Sequence, residues 1–121
     1  MREEVRLALP ATAAHVRLAR LTVASLAAGL GFSFDAVEDL RIAVDELCYL
    51  VGAGRRDGSI TLRFDIDDDG LVITGEGEAR AQPADARRLS EQILAATVDS
   101  YELGGSDGRV VCRLVRLRES T

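Results

Sequence analysis

Residues Val37 to Leu50, read VEDLRIAVDELCYL, decide the fold. With the flanking residues from Ser33 to Val51, the apolar positions Val37, Leu40, Val44, Leu47, Cys48 and Val51 return at helical spacing and form one face. Ser33 and Asp35 compete as the N-cap, because either side chain can accept from the free amides of the first turn. Gly52-Ala53-Gly54 stops the helix. The charged residues Asp39, Asp45 and Glu46 stand off the apolar face, which by itself is the solvated side of an amphipathic core helix.

Working outward, the segment before it predicts another helix. From Thr12 to Leu30, Val16, Ala19, Val23, Leu26 and Leu30 repeat at helical spacing, and Gly31 is placed to end the run. Before Pro10, Val5-Arg6-Leu7-Ala8-Leu9 alternates as a strand does. On the other side, Ile60, Leu62, Phe64 and Ile66 alternate with Thr61, Arg63 and Asp65, then Asp67-Asp68-Asp69-Gly70 supplies a turn, and Leu71-Val72-Ile73-Thr74 is extended again, so this pair predicts a hairpin. Pro83 to Val98 has helical spacing at Leu89, Ile93 and Ala96. Gly104-Gly105-Ser106-Asp107-Gly108 separates it from a last strand, Val110 to Leu117. Strand, two helices, hairpin, helix and strand predict a two-layer α/β (α+β) sandwich, with about three helices on one face of a mixed, mostly antiparallel sheet.

The chain has 121 residues, 47% of them hydrophobic, which is one domain's worth and enough for one core, so residues 1–121 are read as a single domain. No apolar run approaches the ~20 residues that span a bilayer, and the start MREEVRLALP lacks a signal-peptide pattern, so a soluble cytoplasmic protein without membrane partners is expected. Aromatics make up 4% and net charge is −5, leaving neither stacking platforms nor an electrostatic footprint for nucleic acid. Cys48 and Cys112 show no metal-ligand spacing and read as small core residues. Asp65, Asp67, Asp69, Gly70 and Glu76 satisfy the text of an EF-hand calcium loop, but both flanks are β-patterned where that loop needs helices, so no metal is expected. His15, the one histidine, has no nucleophile pattern around it and reads as a helix-surface residue. The pairs Arg55-Arg56 and Arg87-Arg88 could meet phosphate but read first as solvated charge.

On residues Asp39 to Glu46 in particular, the central helix resembles the helix that carries the catalytic glutamate in bacterial anti-sigma regulatory factors. These are serine kinase-like members of the ATPase superfamily of gyrase and histidine kinases. Ala19-Arg20-Leu21-Thr22-Val23-Ala24-Ser25 is similar to the family's first helix, and element order and length agree. The resemblance implies a histidine-kinase-like ATPase fold, a sigma factor and an anti-anti-sigma protein as partners, and a homodimer. It places Glu46 where the family has its general base, and Arg20, one turn from Arg17, where an arginine faces the partner. In the family an asparagine four residues after the glutamate holds Mg²⁺; here that position is Leu50, and the chain has no asparagine. The family's Asp-x-Gly-x-Gly turn, in which the aspartate reads adenine, aligns with Gly75-Glu76-Gly77-Glu78-Ala79, so Gly77 alone survives as a nucleotide-binding residue; shifting the alignment by one offers Glu76 as the acceptor but loses the glycine spacing. Residues 78–103, where the glycine-rich phosphate lid should lie, contain no glycine.

Three readings follow. In the first, the chain is an anti-sigma factor that works by binding, with nucleotide binding weakened or lost, no cofactor, and Glu46 a relic base. In the second it is a serine protein kinase that uses ATP and Mg²⁺ to phosphorylate its antagonist through Glu46. In the third it is a subunit of some other complex, keeping only the fold.

Overall fold

The computed structural model describes residues 2–119. The chain runs β1 (Glu3–Pro10), α1 (Ala13–Gly29), α2 (Phe34–Leu50), β2 (Ser59–Asp67), β3 (Gly70–Glu78), α3 (Ala84–Thr97), β4 (Ser100–Gly104) and β5 (Arg109–Leu117). The five strands form one sheet in the order β1-β2-β3-β5-β4, and every neighbouring pair is antiparallel. The three helices pack on one face with α2 between α1 and α3. This is the expected two-layer architecture.

Register puts the apolar alternation of each strand on that helix-covered face. One row across the sheet is Leu7, Leu62, Gly75, Cys112 and Leu103; the next is Val5, Phe64, Ile73, Leu114 and Tyr101. Leu40, Val44, Leu47 and Cys48 of α2 press onto these rows and are fully buried, as are Ala19, Val23 and Ala27 of α1. Both cysteines are buried core residues, as their surroundings in the sequence predict.

Local chemistry sets the element ends. Ser33 wins the competition for the α2 cap, its Oγ accepting from the Ala36 amide at 3.1 Å, while Asp35 lies in the first turn, where a negative charge suits the helix dipole. Gly31 at φ 82° turns the chain out of α1. In the hairpin, Asp67 Oδ1 accepts from the amides of Asp69 at 2.7 Å and Gly70 at 3.1 Å, a side-chain-closed turn between two strands. No helix of the described residues is long and apolar enough to cross a membrane.

Three features differ from the sequence reading. The sheet, expected to be mixed, has no parallel pair among the described residues. Residues Ser100–Gly104 form β4, which pairs with β5 as the sheet's far edge, where no strand was expected. The inward face of α3 is Ser90, Leu94 and Thr97, so Leu89 and Ala96, assigned to the core face from their spacing, are instead exposed, Leu89 to 57%. At the edge of the layer, α3 needs only a narrow apolar stripe, which Leu94 and Ile93 supply, and small hydroxyl residues fit beneath the rest.

Candidate functional site

Glu46 and Leu50 lie one turn apart on α2, near its C-terminal end, and so share a face. Glu46 is half-buried; Leu50 is only 4% exposed. Leu50 forms part of the floor of a cleft of about 270 Å³ between the end of α2, the segment after β3, the start of α3 and the β4–β5 turn. Around it stand Arg80, Gln82, Arg87 and Arg109. Two hydrogen bonds fix the walls: Gln82 Nε2 donates to the Tyr49 carbonyl at 2.8 Å, and the Ala79 amide donates to the Gly108 carbonyl at 2.8 Å.

The two glycines aligned with the family's turn are held by close packing. A Cβ on Gly75 would meet Leu47 Cδ2 at 2.3 Å, and one on Gly77 would meet the Val51 carbonyl oxygen at 1.9 Å. Central helix and sheet therefore approach so closely along β3 that the space beside Gly75, where the family's aspartate would project, is filled by Leu47. Gly77 serves the approach of the α2 C-cap to the sheet, a structural requirement that stands whether or not it meets a ligand.

Arg20 and Arg17 lie apart from this cleft, in a groove between α1 and α2 that also holds Leu21, Arg41, Ile42 and Asp45. Arg20 Nη1 donates to both carboxylate oxygens of Asp45, at 3.3 and 3.1 Å. The partner of Arg20 within the chain is thus the neighbour of Glu46 on α2. Arg17 is exposed beside it, and Leu18 and Leu21 are 44% and 59% exposed.

The remaining candidates fall elsewhere. Asp65 is engaged by Arg63 at 3.0 Å, and Asp65, Asp67 and Asp69 sit on the hairpin, whose flanks are strands as the sequence predicts. Among the described residues no group of three histidine, cysteine, aspartate or glutamate side chains could hold a metal ion. His15 Nδ1 lies 2.7 Å from Thr12 Oγ1 at the start of α1. Arg55 bridges to Glu78 at 3.0 Å and Asp57 at 3.7 Å, whereas Arg87 and Arg88 pair along α3 with Glu91 at 3.4 Å and Asp85 at 3.9 Å. Arg80, Arg109 and Gln82 were not legible as site residues: they come together only through the pairing of β3 with β5 and the fold of the segment after β3, which no local spacing announces.

Comparison with known proteins covers most of the chain. A family described as the histidine kinase-like ATPase domain matches residues 9–109. The serine-protein kinase RsbW of Bacillus licheniformis is 31% identical over 103 residues, covering 79% of this chain and 64% of that protein. That of Bacillus subtilis is 30% identical over 107 residues, 84% of this chain and 67% of the relative. That of Listeria innocua is 38% identical over 77 residues, 60% and 49%. The chain therefore spans between about half and two thirds of the length of these relatives. A crystal structure of RsbU and RsbW domains from Mycobacterium tuberculosis superposes with a TM-score of 0.76 at 16% identity, over 98% of this chain and 33% of that one, a likeness of fold.

Proposed function

The chain belongs to the histidine kinase-like ATPase family, and from that premise we propose that it is an anti-sigma factor which binds and sequesters a sigma factor and is released by an anti-anti-sigma partner, with nucleotide binding weakened or lost. The observation that carries this reading is Leu50. Magnesium needs oxygen ligands in near-octahedral array, and the floor of the cleft offers it a branched aliphatic side chain. The glycine at position 75 supplies no carboxylate for a base, and Leu47 fills the space where one would project. The residues present thus do not fit ATP with Mg²⁺, and no phosphoryl-transfer step is derived through them.

The surface that supports partner binding is the α1–α2 groove, where Arg17 and Arg20 stand beside exposed Leu21 and Ile42, and α1 also carries exposed Leu18 outside the groove lining. An arginine among apolar side chains is the composition that interface hot spots favour. The same exposed leucines support a homodimer.

A second reading is that the chain is an ATP- and Mg²⁺-dependent serine kinase acting on its antagonist, with Glu46 as base. The names of the curated relatives support it better than the first, and the resemblance read from the sequence puts Glu46 in the base's place. The experiment that tests the first reading is a pull-down with the tagged chain from the cells that produce it, followed by mass spectrometry. A sigma factor should be recovered, without added nucleotide; its absence, with only unrelated proteins enriched, would contradict the proposal.

A further inference from the structure

The helices cover one face of the sheet and leave the other open, and the alternation of each strand decides what the open face carries. Its middle row runs Arg6, Arg63, Thr74, Arg113 and Glu102 across the five strands. Along β5, half-buried Val111 and Val115 flank Arg113 on the same side, and Val72 of β3 stands across from Val115.

Two members of this row lack partners. Arg6 holds Glu4 at 2.7 Å, Arg63 holds Asp65 at 3.0 Å, and Arg109 at the start of β5 holds Glu76 at 3.3 Å. Arg113 has no ion pair among the described residues, although Glu102 stands opposite it on β4. Directly across from it on β3, Thr74 Oγ1 is buried with no hydrogen-bond partner among the described residues. A buried hydroxyl left unbonded costs stability, and valine fills the same space in a strand without that cost. A free guanidinium and an unbonded hydroxyl on adjacent strands can both donate to one acceptor group.

Shape narrows what supplies that acceptor. A groove of about 280 Å³ is lined by Arg63, Thr74, Glu102, Gly104 and Arg113, and a second of about 140 Å³ shares Arg63 and Thr74 with it and reaches β1 at Arg6. Both fall below the ~300–1,000 Å³ of sites that enclose a small molecule, which favours a side chain presented by a larger partner. A carboxylate matches the guanidinium fork in two hydrogen bonds and keeps lone pairs for a hydroxyl donor. The valines add apolar area around the charged contact, the setting in which an interface arginine counts most.

We infer that the open face of the sheet is a second protein-binding surface, which takes an acidic side chain of a partner on Arg113 and Thr74. It lies across the sheet from the layer that holds the α1–α2 groove, so one chain can hold two proteins at once. The inference does not depend on whether the cleft at the end of α2 holds nucleotide.

The test is fluorescence anisotropy of a short labelled peptide of alternating valine and glutamate titrated with the whole chain. A valine–lysine peptide and a single-stranded oligonucleotide serve as comparisons. Alternation sets the carboxylates on one side of an extended peptide, as the open face requires. Saturable binding of the acidic peptide is expected, weakened roughly tenfold or more in Arg113→Ala and several-fold in Thr74→Val. Thr74→Val should melt no lower than the parent, since it removes the unbonded hydroxyl, and exposed Arg113→Ala should melt as the parent does. Arg88→Ala, at an exposed arginine of α3 in the helix layer, should bind the acidic peptide as the parent does. No saturable binding of the acidic peptide, equal binding of the lysine peptide or the oligonucleotide, or equal loss in Arg88→Ala would overturn the inference and leave the anti-sigma reading standing. A parent dimer in light scattering that Arg113→Glu splits would also overturn it, because a second copy would then cover this face.

Discussion

Arg20 joins α1 to α2 through Asp45, yet both side chains remain more than a third exposed, at 38% and 35%. A pair so open to water is worth about 1 kcal/mol or less, because solvent screens it and holding two side chains costs entropy. Arg20→Ala should therefore lower unfolding free energy by no more than ~1 kcal/mol in urea denaturation. If Arg20 also meets a partner carboxylate, the same variant should lose about 2 kcal/mol or more of affinity for the sigma factor recovered by pull-down. A stability loss as large as the affinity loss would reduce Arg20 to a strut between helices. The two packed glycines make a sharper pair. Gly77→Ala drives a methyl into a backbone carbonyl that cannot swing aside, whereas Gly75→Ala meets a leucine side chain that can change rotamer. Gly77→Ala should cost at least about 3 kcal/mol and Gly75→Ala roughly 1 to 3 kcal/mol. Chemical denaturation of both variants checks the order, and equal costs would mean that α2 stands farther from β3 than described.

At the scale of elements, the β2–β3 hairpin carries an acidic tip that matches a calcium loop only as text. Asp67 Oδ1 is occupied by two backbone amides and Asp65 by Arg63. Micromolar calcium should leave the melting temperature unchanged, and chelator likewise; a rise of several degrees that chelator reverses would contradict this. Elements whose apolar period was strong, α1, α2, the hairpin and β5, were legible because one deep face dictates each pattern. β4 was not: five residues, Ser100–Gly104, with two half-buried positions give too short an alternation to read, and the strand exists because β5 offers it an edge. Misplacing the α3 face has the same origin, since Ser90 and Thr97 lie inward at the margin of the layer while Leu89 faces out. Within the site, the positions of Glu46, Leu50, Gly75 and Gly77 could be read by alignment with a family's motifs. That Leu47 fills the space beside Gly75, that Arg20 holds Asp45, and that three arginines converge on the cleft are facts of tertiary approach.

For the molecule as a whole, the core encloses two thiols. Burial pushes the Cys48 and Cys112 thiols up from 9.0 to about 12, because the thiolate would lose its water. Unfolded thiols ionise near 9.0 while the native ones stay protonated, so the contribution of these groups is fully present below pH 9 and is lost as pH rises toward 12. Denaturant midpoints should fall across that window, and Cys48→Ala with Cys112→Ala should make the fall shallower. A profile unchanged by the double variant would place the alkaline sensitivity elsewhere. In the proposed function a kinase-like fold serves as a binding protein whose cleft does not hold magnesium nucleotide. Isothermal titration of the whole chain with Mg·ATP tests it most directly. No magnesium-dependent binding is expected, the titration with Mg²⁺ matching that in EDTA, and a micromolar dissociation constant that requires Mg²⁺ would overturn the proposed function.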